Sequence, residues 1–243
     1  MKVLSVETST AICGTAVVEE GQVRAERWIE APRIHSEKLL SLVDEVLAST
    51  HTELQNVDGI AVAIGPGSFT GLRIGLSVAK GLAFAVDTRL VAVPTLEALA
   101  WNVVRRNLVG QDQYILPMID ARRDEVYTAL YYYKDGTLNE LRKPHAALMG
   151  EIGTMIPGCE PVMVTGDGAG KFLQHCAAAG GKNPSRFTAP PRDQCLCSPA
   201  MVGLLGERKL IHGEAPGEIA SLEPLYVKGF EMPVTPQHLG VQS

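Results

Sequence analysis

The sequence has no excess of positive charge. Its 22 lysine and arginine residues are outnumbered by 27 aspartate and glutamate residues, giving a formal net charge of −5, and no basic block occurs along the chain. Contacts to phosphates supply most of the affinity of nucleic-acid binders, so such proteins usually carry a basic face. The composition argues against a protein that binds RNA by itself, and any RNA would be held mainly by another chain.

The chain also lacks a long apolar run. A membrane-spanning helix needs roughly 18–20 predominantly apolar residues, and the longest candidate, near residues 74–86, carries Lys80 among many small residues. Glu7 interrupts the apolar start of the chain, which excludes the core of a signal peptide there. From these two absences we expect a cytoplasmic protein with no membrane association.

Cysteines are few, and their spacing does not suggest a metal site. An odd number of cysteines without a secretory signal is typical of reduced thiols. Cys195 and Cys197 are separated by one residue, whereas structural zinc sites favour two intervening residues and four ligands. We therefore expect buried thiols and no zinc. The five cysteines are Cys13, Cys159, Cys176, Cys195 and Cys197.

Signatures of common enzyme classes are absent as well. Residues 65–68 (GPGS) join a predicted strand to a helix, a junction that can bind phosphate, but no Gly-Lys-Ser/Thr follows. Residues 166–171 (GDGAGK) lack the spacing of either a dinucleotide or a Walker motif. No nucleophile elbow is present. We interpret both glycine-rich segments as structural turns.

Two polar clusters allow alternative interpretations. His35 and Glu37 stand at the start of a predicted helix, where capping or hydrogen bonding at an interface is favoured over a catalytic pair. Residues 120–125 (DARRDE) lie at a predicted hairpin and are interpreted as a solvated face.

The order of predicted elements indicates an α/β architecture. Strands come first and then alternate with helices, and the strand pattern partly restarts after residue 110. We predict an N-terminal lobe over residues 1–108, a C-terminal lobe over 109–230 and a disordered tail over 231–243. The predicted strands cover residues 3–6, 11–18, 22–29, 60–64, 90–93, 114–119, 126–133 and 162–164, and the predicted helices cover 35–47, 68–86, 95–104 and 198–209.

Every fourth residue of the helix after residue 68 is small. On a helix these residues form one groove along one face, which lets another backbone come close. The helix is apolar on most faces and must therefore be buried on most faces. The groove either lies inside the monomer or packs against a partner. The small residues are Gly71, Gly75, Ala79 and Ala83.

These segments together resemble the TsaB family, also called YeaZ. The resemblance rests on ETST at residues 7–10, HSE at 35–37, GPGSFTGLRIG at 65–75, IDARRDEVY at 119–127, and LYVK at 225–228, which is similar to the C-terminal strand of the family. The run at 65–75 is the most specific of the five. The resemblance extends to about residue 228.

The resemblance implies a fold class and a set of partners. The fold is expected to be α/β, the two-lobed actin-like ATPase fold, each lobe a mixed sheet with flanking helices. The expected role is a non-catalytic subunit that binds the paralogue TsaD, joins TsaE through that complex, and forms a homodimer when alone. The complex transfers threonylcarbamoyl to the adenosine beside the anticodon of tRNA, with only indirect contact between this chain and the tRNA.

The resemblance also implies the binding surface. The two helices that begin near His35 and Ser68 would contact TsaD, and a bulky residue at Gly75 would block that contact. No intrinsic cofactor or metal is expected, because ATP and metal would lie on the partner subunits. The expected interface residues are His35, Glu37, Leu39, Leu42, Val46, Phe69, Gly71, Leu72, Gly75, Leu76 and Ala79.

Two departures from related enzymes argue against catalysis. A metal-binding His-x-x-x-His pair of TsaD-like proteins corresponds to Thr95 and Leu99 here, and leucine cannot ligate a metal. Glu7 stands where actin-like ATPases place an aspartate in their first phosphate motif. The alternative function is a weak ATPase or a metallopeptidase-like enzyme of the same paralogous group.

Overall fold

The computed structural model describes residues 1–30, 35–178, 184–214 and 219–227. The strands are β1 (Lys2–Glu7), β2 (Ile12–Glu19), β3 (Gln22–Glu30), β4 (Gly59–Gly65), β5 (Arg89–Pro94), β6 (Gln113–Asp120), β7 (Glu125–Lys134), β8 (Thr137–Leu148), β9 (Val162–Thr165) and β10 (Phe187–Thr188). The helices are α1 (His35–Ser49), α2 (Phe69–Ala85), α3 (Thr95–Arg105), α4 (Ile152–Met155), α5 (Ala169–Ala178) and α6 (Pro199–Ile211).

The described strands form two mixed sheets with the same topology. The first sheet has the order β3-β2-β1-β4-β5, and the second has the order β10-β9-β6-β7-β8. In the first sheet β1 pairs antiparallel with β2 and parallel with β4. In the second sheet β6 pairs antiparallel with β7 and parallel with β9. The second half of the chain therefore repeats the strand arrangement of the first, as the restart of the sequence pattern predicts.

Helices cover the sheets in layers. Helices α1 and α2 pack on one face of the first sheet, around Leu4, Val6 and Val62. Helices α3 and α6 lie on its other face, in an apolar cluster that also includes Ile115 and Tyr131 of the second sheet. This shared cluster joins the two sheets into one core.

Helix α6 comes from the second half of the chain but packs against β1, β2 and β4 of the first sheet. Polar contacts fix it at both ends. Near its start, Ser198 Oγ donates to Glu26 Oε1 over 2.7 Å. Near its end, the buried carboxylate of Glu207 accepts the backbone N–H groups of Glu20 and Gly21, each over 2.8 Å. Both turn residues have positive φ, so Glu207 stabilises a turn of unusual backbone geometry.

Replacing Glu207 with alanine is expected to lower the free energy of unfolding by about 2–4 kcal/mol, because two charge-assisted hydrogen bonds are lost. The Gly21 N–H then loses its partner, and the Glu20 N–H keeps only its longer bond to Met1 O, at 3.3 Å. Urea unfolding followed by circular dichroism measures the change. Glu214 is the matched control, since it is 57% exposed and pairs with Lys209 across 3.6 Å at the surface. Its replacement with alanine is expected to change stability by less than about 1 kcal/mol. Equal effects of the two substitutions would contradict the role given to Glu207.

The structure differs from the predicted elements at two places, β8 and residues 225–227. The sequence does not predict strand β8, because its 12 residues include Pro144 and several charged residues. A proline is tolerated there because β8 is an edge strand of the second sheet. The prediction of a strand at residues 225–228 was wrong over the described residues 225–227, where a single backbone bond runs from Leu225 N–H to Ile64 O at 2.7 Å. The division at residue 108 stays a prediction, and the predicted tail at 231–243 lies outside the described residues.

Candidate functional site: the interlobe cleft and the adjoining helix surface

A polar cleft of about 820 Å³ lies between the two lobes. Its size falls in the range of small-molecule sites. Five chain segments meet there: the turn after β1, the start of α1, the start of α2, the β6–β7 hairpin and the turn after β9. The polar side chains in its wall are Ser9, Thr10, Ser36, Ser68, Thr70, Asp120, Arg122, Tyr127 and Asp167.

The loop before α2 is bound to the turn after β1. Ser68 caps the helix by accepting the N–H of Gly71 over 3.2 Å, and its own N–H donates to Ser9 O over 2.7 Å. A Cβ atom at Gly67 would lie 2.1 Å from that same Ser9 oxygen. One N–H group at this helix start is therefore already used within the chain. This supports the interpretation of residues 65–68 as a structural turn.

The groove of small residues on α2 is filled by the chain itself. Thr8 lies in it and donates from Oγ1 to Gly71 O over 2.8 Å. A Cβ atom at Gly71 would lie 2.0 Å from Thr8 O, and one at Gly75 would lie 2.1 Å from Thr8 Oγ1. Of the two alternatives for the groove, the structure favours the monomer interior. A leucine at Gly75 would clash within this chain, so that substitution cannot test docking alone.

The residues expected at a partner interface divide into two groups. Glu37 and Phe69 are exposed, the latter by 37%. The side chain of His35 lies outside what the structure describes. The others are buried in the monomer, where they support the surface and have almost no area of their own to offer a partner; they are Leu39, Leu42, Val46, Gly71, Leu72, Gly75, Leu76 and Ala79.

Sequence reasoning missed two exposed apolar side chains on these helices. Leu40 is 52% exposed on α1, and Phe84 is 84% exposed near the end of α2. The signal for Leu40 is its position beside the buried stripe, since a leucine outside the periodic apolar positions is not needed for the core.

The two cations of α2 hold the segment 219–227 across the helix. The Arg73 guanidinium lies 3.9 Å from the centroid of the Phe69 ring and donates from Nε to the hydroxyl of Tyr226 over 3.1 Å. Lys80 Nζ donates to Ala220 O over 2.9 Å. The sequence places Arg73 and Lys80 on one side of the helix, and this segment is what they contact.

Glu7 is buried behind the cleft at the end of β1. Its Oε1 accepts the backbone N–H of Ser9 over 2.8 Å and the Ser9 hydroxyl over 2.6 Å, and its Oε2 accepts the Cys197 thiol over 3.4 Å. Burial raises the pKa of Glu7 to about 7, because desolvation outweighs these hydrogen bonds. The carboxylate is thus engaged by its own chain. Burial of the Cys13 thiol, and to a smaller extent the nearby charge of Glu7, raises the pKa of Cys13 to about 11.

Thr95 and Leu99 occupy buried positions on α3. Thr95 Oγ1 accepts the N–H of Gly65 over 3.1 Å and so holds the end of β4 against α3. Leu99 packs in the core cluster between the sheets. These two positions serve packing and backbone hydrogen bonding.

Four charged residues of the β6–β7 hairpin are exposed, as predicted for a solvated face, and Glu125 is half-buried; the four are Asp120, Arg122, Arg123 and Asp124. Asp120 Oδ1 accepts the N–H of Arg122 over 2.9 Å and pairs with Lys171 at 3.1 Å. Asp167 accepts the N–H of Asp120 over 3.0 Å. Burial raises the pKa of Asp167, and the nearby charge of Asp120 raises it further. The turn at residues 166–168 connects β9 to α5, as predicted.

The thiols of Cys13, Cys195 and Cys197 are buried, as expected, whereas the expectation was wrong for Cys159, which is exposed, and for Cys176, which is half-buried. Within the described parts of the chain, no three histidine, cysteine, aspartate or glutamate side chains come together in a way that could hold a metal ion. Among the helices in those same parts, none combines the length and apolar character that crossing a membrane requires.

Comparison with known proteins identifies relatives of this chain. A family model described as TsaD, tRNA N6-adenosine threonylcarbamoyltransferase, matches residues 29–160. The tRNA threonylcarbamoyladenosine biosynthesis protein TsaB of Escherichia coli is 34% identical over 63% of this chain and 64% of its own length. The TsaB protein of Bacillus subtilis is 40% identical over 58% of this chain and 59% of its own length. The matched region thus spans about three fifths of these curated relatives.

Solved structures extend the likeness over the whole fold. The solved structure of YeaZ from Pseudomonas aeruginosa superposes with a TM-score of 0.75 and 27% identity, covering 93% of this chain and 99% of that chain. Component A of (R)-2-hydroxyglutaryl-CoA dehydratase from Acidaminococcus fermentans superposes with a TM-score of 0.51 at 8% identity, covering 87% and 99% of the two chains, which shows a shared fold alone. The predicted two-lobed actin-like ATPase fold is confirmed. Because the family model covers more than half of the chain and the curated relatives carry the TsaB name, the chain belongs to the family that the TsaD model describes and, within it, to the TsaB (YeaZ) group.

Proposed function

We propose that this chain takes part in the biosynthesis of threonylcarbamoyladenosine in tRNA as a non-catalytic subunit that binds TsaD. Membership of the TsaB group supports the pathway. The main support for the non-catalytic role is that Thr95 and Leu99 stand at the positions of the metal-binding histidines in TsaD-like proteins and have only structural contacts. Thr95 holds a backbone N–H, and Leu99 fills the core.

The state of Glu7 supports the same conclusion. A carboxylate that positions a metal-bound nucleotide must face the cleft with free oxygen atoms. Here Oε1 accepts two bonds from Ser9, and Oε2 faces the thiol of Cys197. In the proposed complex, ATP and metal are bound by the partner subunits, and the acidic chain contacts tRNA only indirectly.

The proposed docking surface lies on the exposed sides of α1 and α2. Its apolar centre is formed by Leu40 and Phe69, and Glu37 and Arg73 add opposite charges beside them. Apolar and aromatic residues surrounded by charged ones are typical of protein–protein interfaces. Phe69 also lines the cleft, so the partner would sit at the cleft mouth.

The occupant of this surface is TsaD in the complex and a second copy of this chain when TsaD is absent. One surface serving both contacts makes the homodimer isologous and sets it in competition with the mixed complex. TsaE then joins through the assembled pair. Light scattering after size exclusion, on the chain alone and mixed with TsaD from the same organism, tests this proposal. We expect a homodimer that converts to a mixed complex, and a chain that stays monomeric in the presence of TsaD would refute it.

Replacing Leu40 with aspartate is expected to weaken binding to TsaD by about tenfold to a hundredfold, because a charge is placed in the apolar centre of the interface. Calorimetric titration with TsaD measures the affinity. Leu141→Asp is the matched control, since Leu141 is 53% exposed on β8, far from α1 in the fold. Both variants are expected to keep wild-type stability within about 0.5 kcal/mol. A Leu40→Asp variant with wild-type affinity would place the interface elsewhere.

A further inference from the structure

A second cavity lies on the side of α3 between that helix, strands β7 and β8, and the segment that contains Leu225. Its volume is about 460 Å³, within the range of small-ligand sites. It shares none of its lining residues with the interlobe cleft. The proposed function leaves it without a role.

The wall of this cavity combines aromatic rings with carboxylates. Trp101 of α3 and Tyr131 of β7 supply the rings, and Glu97 of α3 and Glu140 of β8 supply the carboxylates. Tyr131 and Glu140 are directly opposite each other in the β7–β8 ladder. Two acidic groups beside aromatic faces form the kind of environment that attracts organic cations.

The hydroxyl group of Tyr131 is available to a ligand. The residue is only 4% exposed and lines the cavity. Its oxygen is not among the fully enclosed polar atoms of the described residues, and no hydrogen bond from those residues occupies it, so it opens onto the cavity. Burial, with Glu140 and Glu97 nearby, raises the pKa of Tyr131, so the phenol stays neutral and its oxygen can accept a hydrogen bond.

The charges around the cavity leave one carboxylate available. Glu97 pairs with Lys209 across 3.5 Å. Within the described part of the chain, Glu140 has no ion pair, and Lys143 at the cavity has none either. Lys143 is exposed, and it opposes a bound cation more weakly than a buried lysine would, because solvent screens its charge.

Trp101 already makes a cation–π contact in this structure. The Arg208 guanidinium lies 5.4 Å from its ring centroid, in an adjoining cavity that shares Glu97, Trp101 and Leu138. The ring is thus able to receive a guanidinium. The apolar contacts beyond it come from Pro94, Pro144, Leu138 and Leu225.

We infer that this cavity binds an organic cation with an alkyl stem, a guanidinium or a primary ammonium. The cation donates to the Glu140 carboxylate and to the Tyr131 hydroxyl and stacks on Trp101, and the alkyl stem packs against the prolines and leucines. The source is either a free alkylguanidine or alkylamine or an arginine or lysine side chain of a polypeptide.

Quenching of Trp101 fluorescence tests the inference. The chain has two tryptophans, so a Trp28→Phe background leaves Trp101 as the reporter. Butylguanidinium is the probe and butylurea is its neutral analogue of the same shape. We expect saturable quenching by butylguanidinium alone. No saturable quenching by the cation, or binding of butylurea with equal affinity, would overturn the inference.

Variants assign the contacts. Because Glu140 is exposed and its charge is screened by solvent, Glu140→Gln is expected to weaken binding about threefold to fivefold. Tyr131→Phe is expected to weaken it roughly threefold. Lys143→Gln is expected to strengthen binding, because it removes a like charge. Glu45→Gln on α1 is the control and is expected to change nothing. Because Glu140 is exposed on an edge strand, its variant is expected to fold, and unchanged affinity in it would refute the site.

A blocked arginine, N-acetylarginine methylamide, distinguishes the two sources. Tighter binding of the blocked arginine than of butylguanidinium assigns the cavity to a polypeptide side chain. The reverse order assigns it to a free small molecule. The measurement needs no TsaD, so its failure leaves the proposed function untouched.

Discussion

Alanine at Gly71 is expected to destabilise the protein by about 3 kcal/mol or more, whereas alanine at Gly81 of the same helix is expected to stabilise it by about 0.5–1 kcal/mol. The added methyl group at Gly71 would lie 2.0 Å from the carbonyl oxygen of Thr8, an atom of the backbone that cannot rotate away. Overpacking of this kind costs about 1–3 kcal/mol, and more when backbone must move. The hydrogen bond from Thr8 Oγ1 to Gly71 O would be strained as well.

Gly81 differs from Gly71 in its surroundings alone. Nothing lies within 4 Å of a Cβ atom placed on Gly81. Alanine there gains the roughly 1 kcal/mol by which it exceeds glycine as a helix former. Urea unfolding of both variants measures the difference, and two effects of the same sign would show that Thr8 does not occupy the groove as described. The two substitutions together distinguish the face of α2 that packs inside the monomer from its outer face, on which the proposed partner surface lies.

The Glu7→Gln variant is expected to become more stable relative to the wild type as pH rises from about 4.5 to about 8. Burial raises the pKa of Glu7 from 4.5 to about 7, while the unfolded chain keeps the ordinary value. Between these values the folded state holds a proton that the unfolded state releases, so the free energy of unfolding falls as pH rises through this window. The raised pKa thus favours folding at low pH, and that advantage is lost above pH 7.

The size of the effect follows from the shift. A change from 4.5 to about 7 corresponds to about 3 kcal/mol at 1.36 kcal/mol per pH unit. Glutamine keeps an oxygen that accepts both bonds from Ser9 but does not titrate. The difference in unfolding free energy between variant and wild type, measured in urea at pH 4.5 and pH 8, is therefore expected to shift by about 3 kcal/mol in favour of the variant.

Glu45→Gln is the control for this titration. Glu45 is exposed on α1, so we expect its substitution to leave the pH dependence of stability as it is in the wild type. A Glu7→Gln variant whose pH dependence also matches the wild type would mean that Glu7 has the same pKa in the folded and the unfolded chain, and so is not buried as described. Such a result would reopen a role for Glu7 in the cleft.

The sequence by itself determined most of the regular structure. Strands β1, β4 and β5 are continuous apolar runs, and α1 carries a periodic stripe, so burial and periodicity were sufficient to predict them. The motif at residues 65–75 indicates the family and, through it, the fold. These features are local, or depend on segments of a dozen residues, and a sequence displays them directly.

Only the tertiary structure decided what each buried residue contacts. The small residues of α2 fit either a partner or the monomer by sequence, and the position of Thr8, 63 residues away from Gly71 along the chain, settled the question. The same holds for Glu207, which binds the turn at Glu20 and Gly21 from a helix near the other end of the chain. Glycine spacing and a single charge carry no information about which distant segment will pack on them, because that depends on the path of the chain between.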